Sequence, residues 1–269
     1  MTDQTAPYPR PFTMLFLSGA SGSGTTLLTK ILSAPKCVLG IGGKHRTVPT
    51  SDTEAYHLTD RFNQVTTALW DREGDYLKHA VAAGEVRDII GQFLSYPQYS
   101  GVTHLLAKRS APFHEGDRFR PDFGDLLDAF PDLRIVVTIR EPRASTYSTY
   151  RRDFVDNLRY AAVVCEERLT YLSAQLATLR RDRFRVINYE DFCERPHGYG
   201  RMLAEFCGLP EDEVIAAIDA EQPDPTKNQL WQTALTPEEQ TFLTDFFSER
   251  RRRQWAFLTE IAAEAARAW

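Results

Sequence analysis

The sequence is short of several features that would place it quickly. Its four cysteines, Cys37, Cys165, Cys193 and Cys207, form no C-x-x-C pair, and no histidine sits near them at finger spacing. That excludes a structural zinc module or a disulfide-stapled scaffold and points to a reducing compartment. Long hydrophobic runs are missing too. The longest, Tyr160 to Cys165, falls far short of the ~20 residues needed to span a bilayer. The opening stretch MTDQTAPYPRPF has no apolar core, so no signal peptide is expected and a cytoplasmic location follows. Positive charge is not in surplus. Lysine and arginine number 32 against 37 acidic residues, a net charge of −5, which argues against a nucleic-acid partner. The run Arg250 to Arg253 reads as a solvated helix face. No Pro/Gly-rich linker, internal repeat or mid-chain shift in composition divides the chain.

What is present suits one sizeable core. A chain of 269 residues buries about 70% of its extended surface on folding. Residues 1–12, with three prolines, are expected to be a loose tail, and residues 13–269 a single α/β domain. Apolar, β-branched runs predict strands at Thr13 to Leu17, Val102 to Ala107, Ile135 to Ile139 and Val186 to Asn188. Between them, helical spacing appears from Thr25, at 122–130, at 160–180 and at Tyr199 to Phe206. Gly40 to Asp52 reads as a loop. Thr236, Pro237 and Glu239 form a capping box that opens one long C-terminal helix. Strands alternating with helices predict a central parallel sheet flanked by helices, with a phosphate-loop-like strand–loop–helix at the N-terminus.

That loop is Gly19-Ala20-Ser21-Gly22-Ser23-Gly24-Thr25-Thr26. It follows a strand and opens a helix, so small residues let backbone N–H groups close on phosphate oxygens at the positive helix end. A Walker A loop would continue with lysine, which reaches the terminal phosphates of ATP or GTP; here that position is Thr25. A nucleotide is expected, but not an ordinary nucleoside triphosphate.

A lysine-free S-G-T-T loop between strand and helix resembles the 5′-phosphosulfate loop of sulfotransferases that use 3′-phosphoadenylyl sulfate (PAPS). RIVVTIREPRASTYSTYRR (134–152) is similar to the family's second phosphate segment, a strand followed by Arg and, eight residues on, Ser; these are Arg140 and Ser148. RVINYEDF (185–192), CGLPEDE (207–213) and PTKNQLWQTALTPEE (225–239) resemble three further stretches in the right order. The resemblance implies an α/β fold and sulfuryl transfer from PAPS, with 3′,5′-ADP as product. The acceptor would be a hydroxyl or amine of a small-molecule, carbohydrate or lipid. It further implies that Gly22, Ser23, Gly24, Thr25 and Thr26 take the 5′-phosphosulfate, Arg140 and Ser148 the 3′-phosphate, and that Tyr189 lies against adenine. No metal is required.

The chain also departs from the family pattern. Many members carry Lys or Arg immediately before S-G-T-T; here it is Gly22. The charge is expected from Lys44, Lys108 or Arg109. HLLAKRSAPF (104–113) resembles a strand-end K-T-H-x-P, which gives Lys108 the sulfuryl-stabilising role but puts Ser110 where the family has its catalytic His. His45, in the loop after the first helix, is the expected base, with His114, His57 and Glu85 as alternatives. Two other readings compete: an ATP- or GTP-dependent kinase with an atypical loop, and a non-catalytic nucleotide binder. A kinase would need a metal-binding Asp at a strand end, and Ile139 is followed by Arg140.

Overall fold

The computed structural model describes residues 11–41, 85–109, 122–152, 155, 157–248 and 253–267. The expected tail at 1–10 and the loop 42–84 lie outside them. The strands are β1 (Thr13–Gly19), β2 (Val38–Ile41), β3 (His104–Arg109), β4 (Arg134–Ile139) and β5 (Phe184–Asn188). They form one five-stranded sheet in the order β2-β3-β1-β4-β5, and every pairing is parallel. Helix α1 (Thr25–Ser33) follows β1, α2 (Glu85–Leu94) precedes β3, and α3 (Phe123–Ala129) leads to β4. Beyond β4 come α4 (Pro142–Tyr150) and α5 (Leu158–Ala177), then, after β5, α6 (Tyr189–Glu194), α7 (Pro196–Cys207) and α8 (Glu211–Glu221). The chain ends with α9 (Leu230–Ala234), α10 (Pro237–Phe246) and α11 (Arg253–Arg267).

Period-2 alternation splits each strand between two cores. Met14 and Phe16 of β1 join Ile135, Val137 and Ile139 of β4 on one face, packed with Leu169 and Leu172 of α5. Leu15, Leu17 and Val136 face the other side, against Leu28 and Ile31 of α1 and Met202 and Leu203 of α7. Burial on both faces is why the strands read as continuous apolar runs. The order turns at β1: the chain fills β2 and β3 on one side before crossing to β4 and β5 on the other. Such a switch point opens a crevice at the carboxyl ends of the strands, where Gly19 and Arg109 end β1 and β3 and Arg140 and Tyr189 follow β4 and β5.

Several local expectations shift. Gly40 and Ile41 belong to β2, a short edge strand whose register on β3 runs from Val38–His104 to Ile41–Ala107; four residues after Pro35 leave no readable alternation. β3 lies at His104–Arg109 rather than 102–107, which brings Lys108 into the strand. The C-terminal region is two helices, not one. Phe247 closes α10 with φ −90° and ψ 41°, and its ring is 1% exposed, so burying that side chain turns the chain out of the helix. α8, which sequence periodicity did not reveal, starts behind Pro210 with Glu211, Asp212 and Glu213 in its first turn, where acidic groups complement the helix dipole.

Candidate active site

The phosphate loop is held from below and from the side. Ser23, fully buried, donates its hydroxyl to the Ala20 carbonyl at 2.6 Å and stands 2.6 Å from Thr138 Oγ1 of β4. From α4, the hydroxyls of Ser145 and Thr149 both donate to the Ser21 carbonyl, at 2.7 and 3.1 Å. Gly24 caps α1 with a left-handed φ of 94° and no side-chain cap. The first N–H groups of α1 are therefore uncapped by any side chain and open to an anion.

Arg140 is the hub. It leaves β4 just before α4, whose N-cap Glu141 accepts from the Ala144 N–H at 3.0 Å, and it is 6% exposed. Its Nη1 donates to the Gly22 carbonyl at 3.0 Å, its Nε to Asn228 Oδ1 at 3.0 Å and its Nη2 to the Lys227 carbonyl at 2.5 Å. The guanidinium lies 4.7 Å above the Tyr189 ring. Burial pushes its pKa down, while Tyr189 and Glu190 pull the other way. Tyr189 in turn lies so close to the loop that a Cβ on Gly24 would fall 2.4 Å from its Cδ2. Asn188, at the end of β5, fixes that placement by capping α6, accepting from the Glu190 and Asp191 N–H groups.

These elements enclose a cavity of about 240 Å³. Gly22, Gly24, Thr25, Thr26, Arg140, Ser148 and Tyr189, all expected from the sequence, line it. Ser23 does not; its hydroxyl is used inside the loop. Lys108 reaches the site from β3, donating from Nζ to Thr26 Oγ1 at 3.1 Å. Burial lowers its pKa, and the Arg152 charge lowers it further. Sequence reasoning missed Lys30, Gln222, Arg151 and Arg152, which also line the cavity. The two arginines had a readable signal, since they follow Ser148 by about one helical turn, the spacing of one helix face. Trp231 is buried beneath the Arg143 guanidinium, 4.7 Å from its ring centre. His45, Lys44, His57, Ser110 and His114 lie outside the described residues, as does the side chain of Glu85. Among the described residues no cluster of His, Cys, Asp and Glu could hold a metal, and no helix is long and apolar enough to cross a membrane.

The sulfotransferase family model matches residues 15–213, from β1 into α8. The chain belongs to the sulfotransferase family. A sulfotransferase from Alicyclobacillus acidocaldarius superposes with a TM-score of 0.53 at 19% identity, over 96% of this chain and 99% of that one. The sulfotransferase domain from the curacin biosynthetic pathway gives 0.54 at 16% identity, over 88% and 97%. Mouse sulfotransferase SULT7A1, solved with PAP, gives 0.53 at 11% identity, over 97% and 92%. At these identities the structures speak for the fold. Comparison with curated protein sequences gave no match. Family and fold together make this chain a sulfotransferase rather than a kinase. Members of the family draw the sulfuryl group from PAPS.

Proposed function

We propose that this sulfotransferase moves the sulfuryl group of PAPS onto a hydroxyl or amine of a small-molecule, carbohydrate or lipid acceptor by in-line transfer. The observation that carries the reading is that Arg140 and Ser148 line the same cavity as the uncapped start of α1. The residues fit such a nucleotide. Gly22 and Gly24 let the loop lie against α4 and Tyr189 more closely than any Cβ would allow, and two anion-receptive points line one cavity. When bound, PAPS supplies a sulfuryl group activated by its phosphate leaving group.

The chain's own residues do the rest. Gly22, Gly24, Thr25 and Thr26 present backbone and hydroxyl donors to the 5′-phosphosulfate, with Ser23 holding the loop in shape. Arg140 has five N–H donors, and three go to Gly22, Lys227 and Asn228. One N–H on each terminal nitrogen is left for the 3′-phosphate. The Ser148 hydroxyl makes no hydrogen bond among the described residues and adds a second donor. Tyr189 lies against adenine. Lys108, already at Thr26, neutralises charge at the sulfuryl group, and His45 takes the acceptor proton. The site works by positioning and fixed charge.

Arg140 also supports the loop through Gly22, so replacing it would weaken every ligand of the loop. Ser148→Ala is the cleaner probe of the 3′-phosphate. It should weaken 3′,5′-ADP by about 1.5–3 kcal/mol, the value of a charged hydrogen bond. Adenosine 5′-phosphosulfate, which has no 3′-phosphate, should bind unchanged. Equal losses for both ligands in calorimetry would remove Ser148 from the 3′-phosphate.

A further inference from the structure

Gly22 stands where many family members have a cation, and its surroundings forbid one. Its φ is +80°, and a Cβ there would lie 2.6 Å from the Ser145 carbonyl oxygen and 3.0 Å from Ser148 Cβ. A contact with α4 backbone is not relieved by changing a rotamer. Charge beside the transferred group therefore has to enter from another element. Lys108 enters along β3 and reaches Thr26. In-line transfer spreads negative charge over three equatorial oxygens, and one lysine faces only part of them.

Arg152, just past the end of α4, lines the same cavity as Thr26 and Ser148. The carboxylates of that cavity are already engaged: Glu221 pairs with Lys30 at 2.7 Å, and Asp224 lies 3.8 Å from Lys227. Among the described residues Arg152 has no carboxylate partner and no side-chain hydrogen bond. Its neighbour Arg151 differs, with its guanidinium 6.0 Å from the Tyr147 ring centre. The Arg152 charge acts on both Lys108 and Arg140 as a like charge, which agrees with its place on the cavity they share. Arg140 and Arg152 line one cavity, Lys108 reaches its wall at Thr26, and only Arg140 has a carboxylate near it, Glu190 at 3.9 Å, among the described residues; such a cluster makes a site that an anion completes.

We infer that Arg152 is the second cation on the transferred sulfuryl group, doing from the end of α4 what no side chain at position 22 can do. This rests on the reading of the cavity as a PAPS site. The experiment compares PAPS with 3′,5′-ADP, which differ by the sulfuryl group, in equilibrium binding to wild type, Arg152→Gln and Arg152→Lys. Thermal melting checks that each variant is folded; Arg152 is exposed, and its replacement should leave the melting temperature unchanged. In Arg152→Gln the preference for PAPS over 3′,5′-ADP should fall by about tenfold or more, with 3′,5′-ADP affinity held. Arg152→Lys should recover part of the preference. Equal weakening of both ligands would put Arg152 on the nucleotide phosphates and overturn the inference, as would unchanged affinities. If wild type binds neither nucleotide, the PAPS reading itself fails, and the inference with it.

Discussion

A methyl group on Gly24 would meet Tyr189 Cδ2 at 2.4 Å, from a backbone with φ +94°. Gly24→Ala should therefore lose both backbone comfort, about 1–2 kcal/mol, and the seat of the Tyr189 ring. A lower melting temperature together with weaker 3′,5′-ADP binding is the expected result. Gly22→Lys makes the opposite point. It restores the charge common in the family, yet at φ +80° and 2.6 Å from the Ser145 carbonyl it should weaken nucleotide binding rather than improve it. A gain in PAPS affinity in calorimetry would contradict the geometry. Lys108 carries a pH signature. Burial and the Arg152 charge hold its pKa below the ordinary 10.5 in the free protein. Removing a like charge favours the protonated form, so Arg152→Gln should move the Lys108 titration upward. Carbon NMR of the lysine ε positions measures this, and a Lys108 that titrates at or above 10.5 in wild type would be inconsistent with its burial.

Two short elements carry more of the site than their length suggests. α6 runs only from Tyr189 to Glu194, and its first residue is the tyrosine that lines the cavity. A helix this short depends on its cap. Asn188→Ala should destabilise the protein by about 0.5–2 kcal/mol and loosen Tyr189, seen as reduced 3′,5′-ADP affinity beyond the fall in melting temperature. α5 holds a different kind of strain. Arg168 is 2% exposed, none of its guanidinium nitrogens has a hydrogen-bond partner among the described residues, and burial pushes its pKa down to about 10. An unpaired buried charged group costs about 1–3 kcal/mol or more. Arg168→Met keeps much of the volume and removes the charge, so the melting temperature should rise in calorimetry; a fall would show that the guanidinium has a stabilising role.

Across the whole molecule, the alternating strands and helices and the loop from Gly19 to Thr26 were legible in the sequence because burial on both faces and glycine at positive φ leave compositional marks. Arg140, Ser148 and Tyr189 were legible through spacing and family likeness, and they meet at one cavity. What was not legible depends on tertiary contacts. The double use of Arg140, on Gly22 and on Lys227, comes from residues far apart in sequence. The inward turn of Ser23 needs Thr138 beside it. Arg152 carried no expectation of its own, because only the fold brings the end of α4 to the cavity that Thr26 lines. His45 remains an expectation from the resemblance, outside the described residues. Calorimetric titration of the wild-type protein with 3′,5′-ADP, 5′-AMP and ATP in the presence of EDTA, with ATP repeated with Mg²⁺, tests the account most directly. The cavity built from the α1 N-terminus, Arg140 and Ser148 predicts that 3′,5′-ADP binds at least tenfold more tightly than 5′-AMP, about the value of one charged hydrogen bond, without metal. Equal affinity for 3′,5′-ADP and 5′-AMP, or a preference for ATP with Mg²⁺, would contradict it.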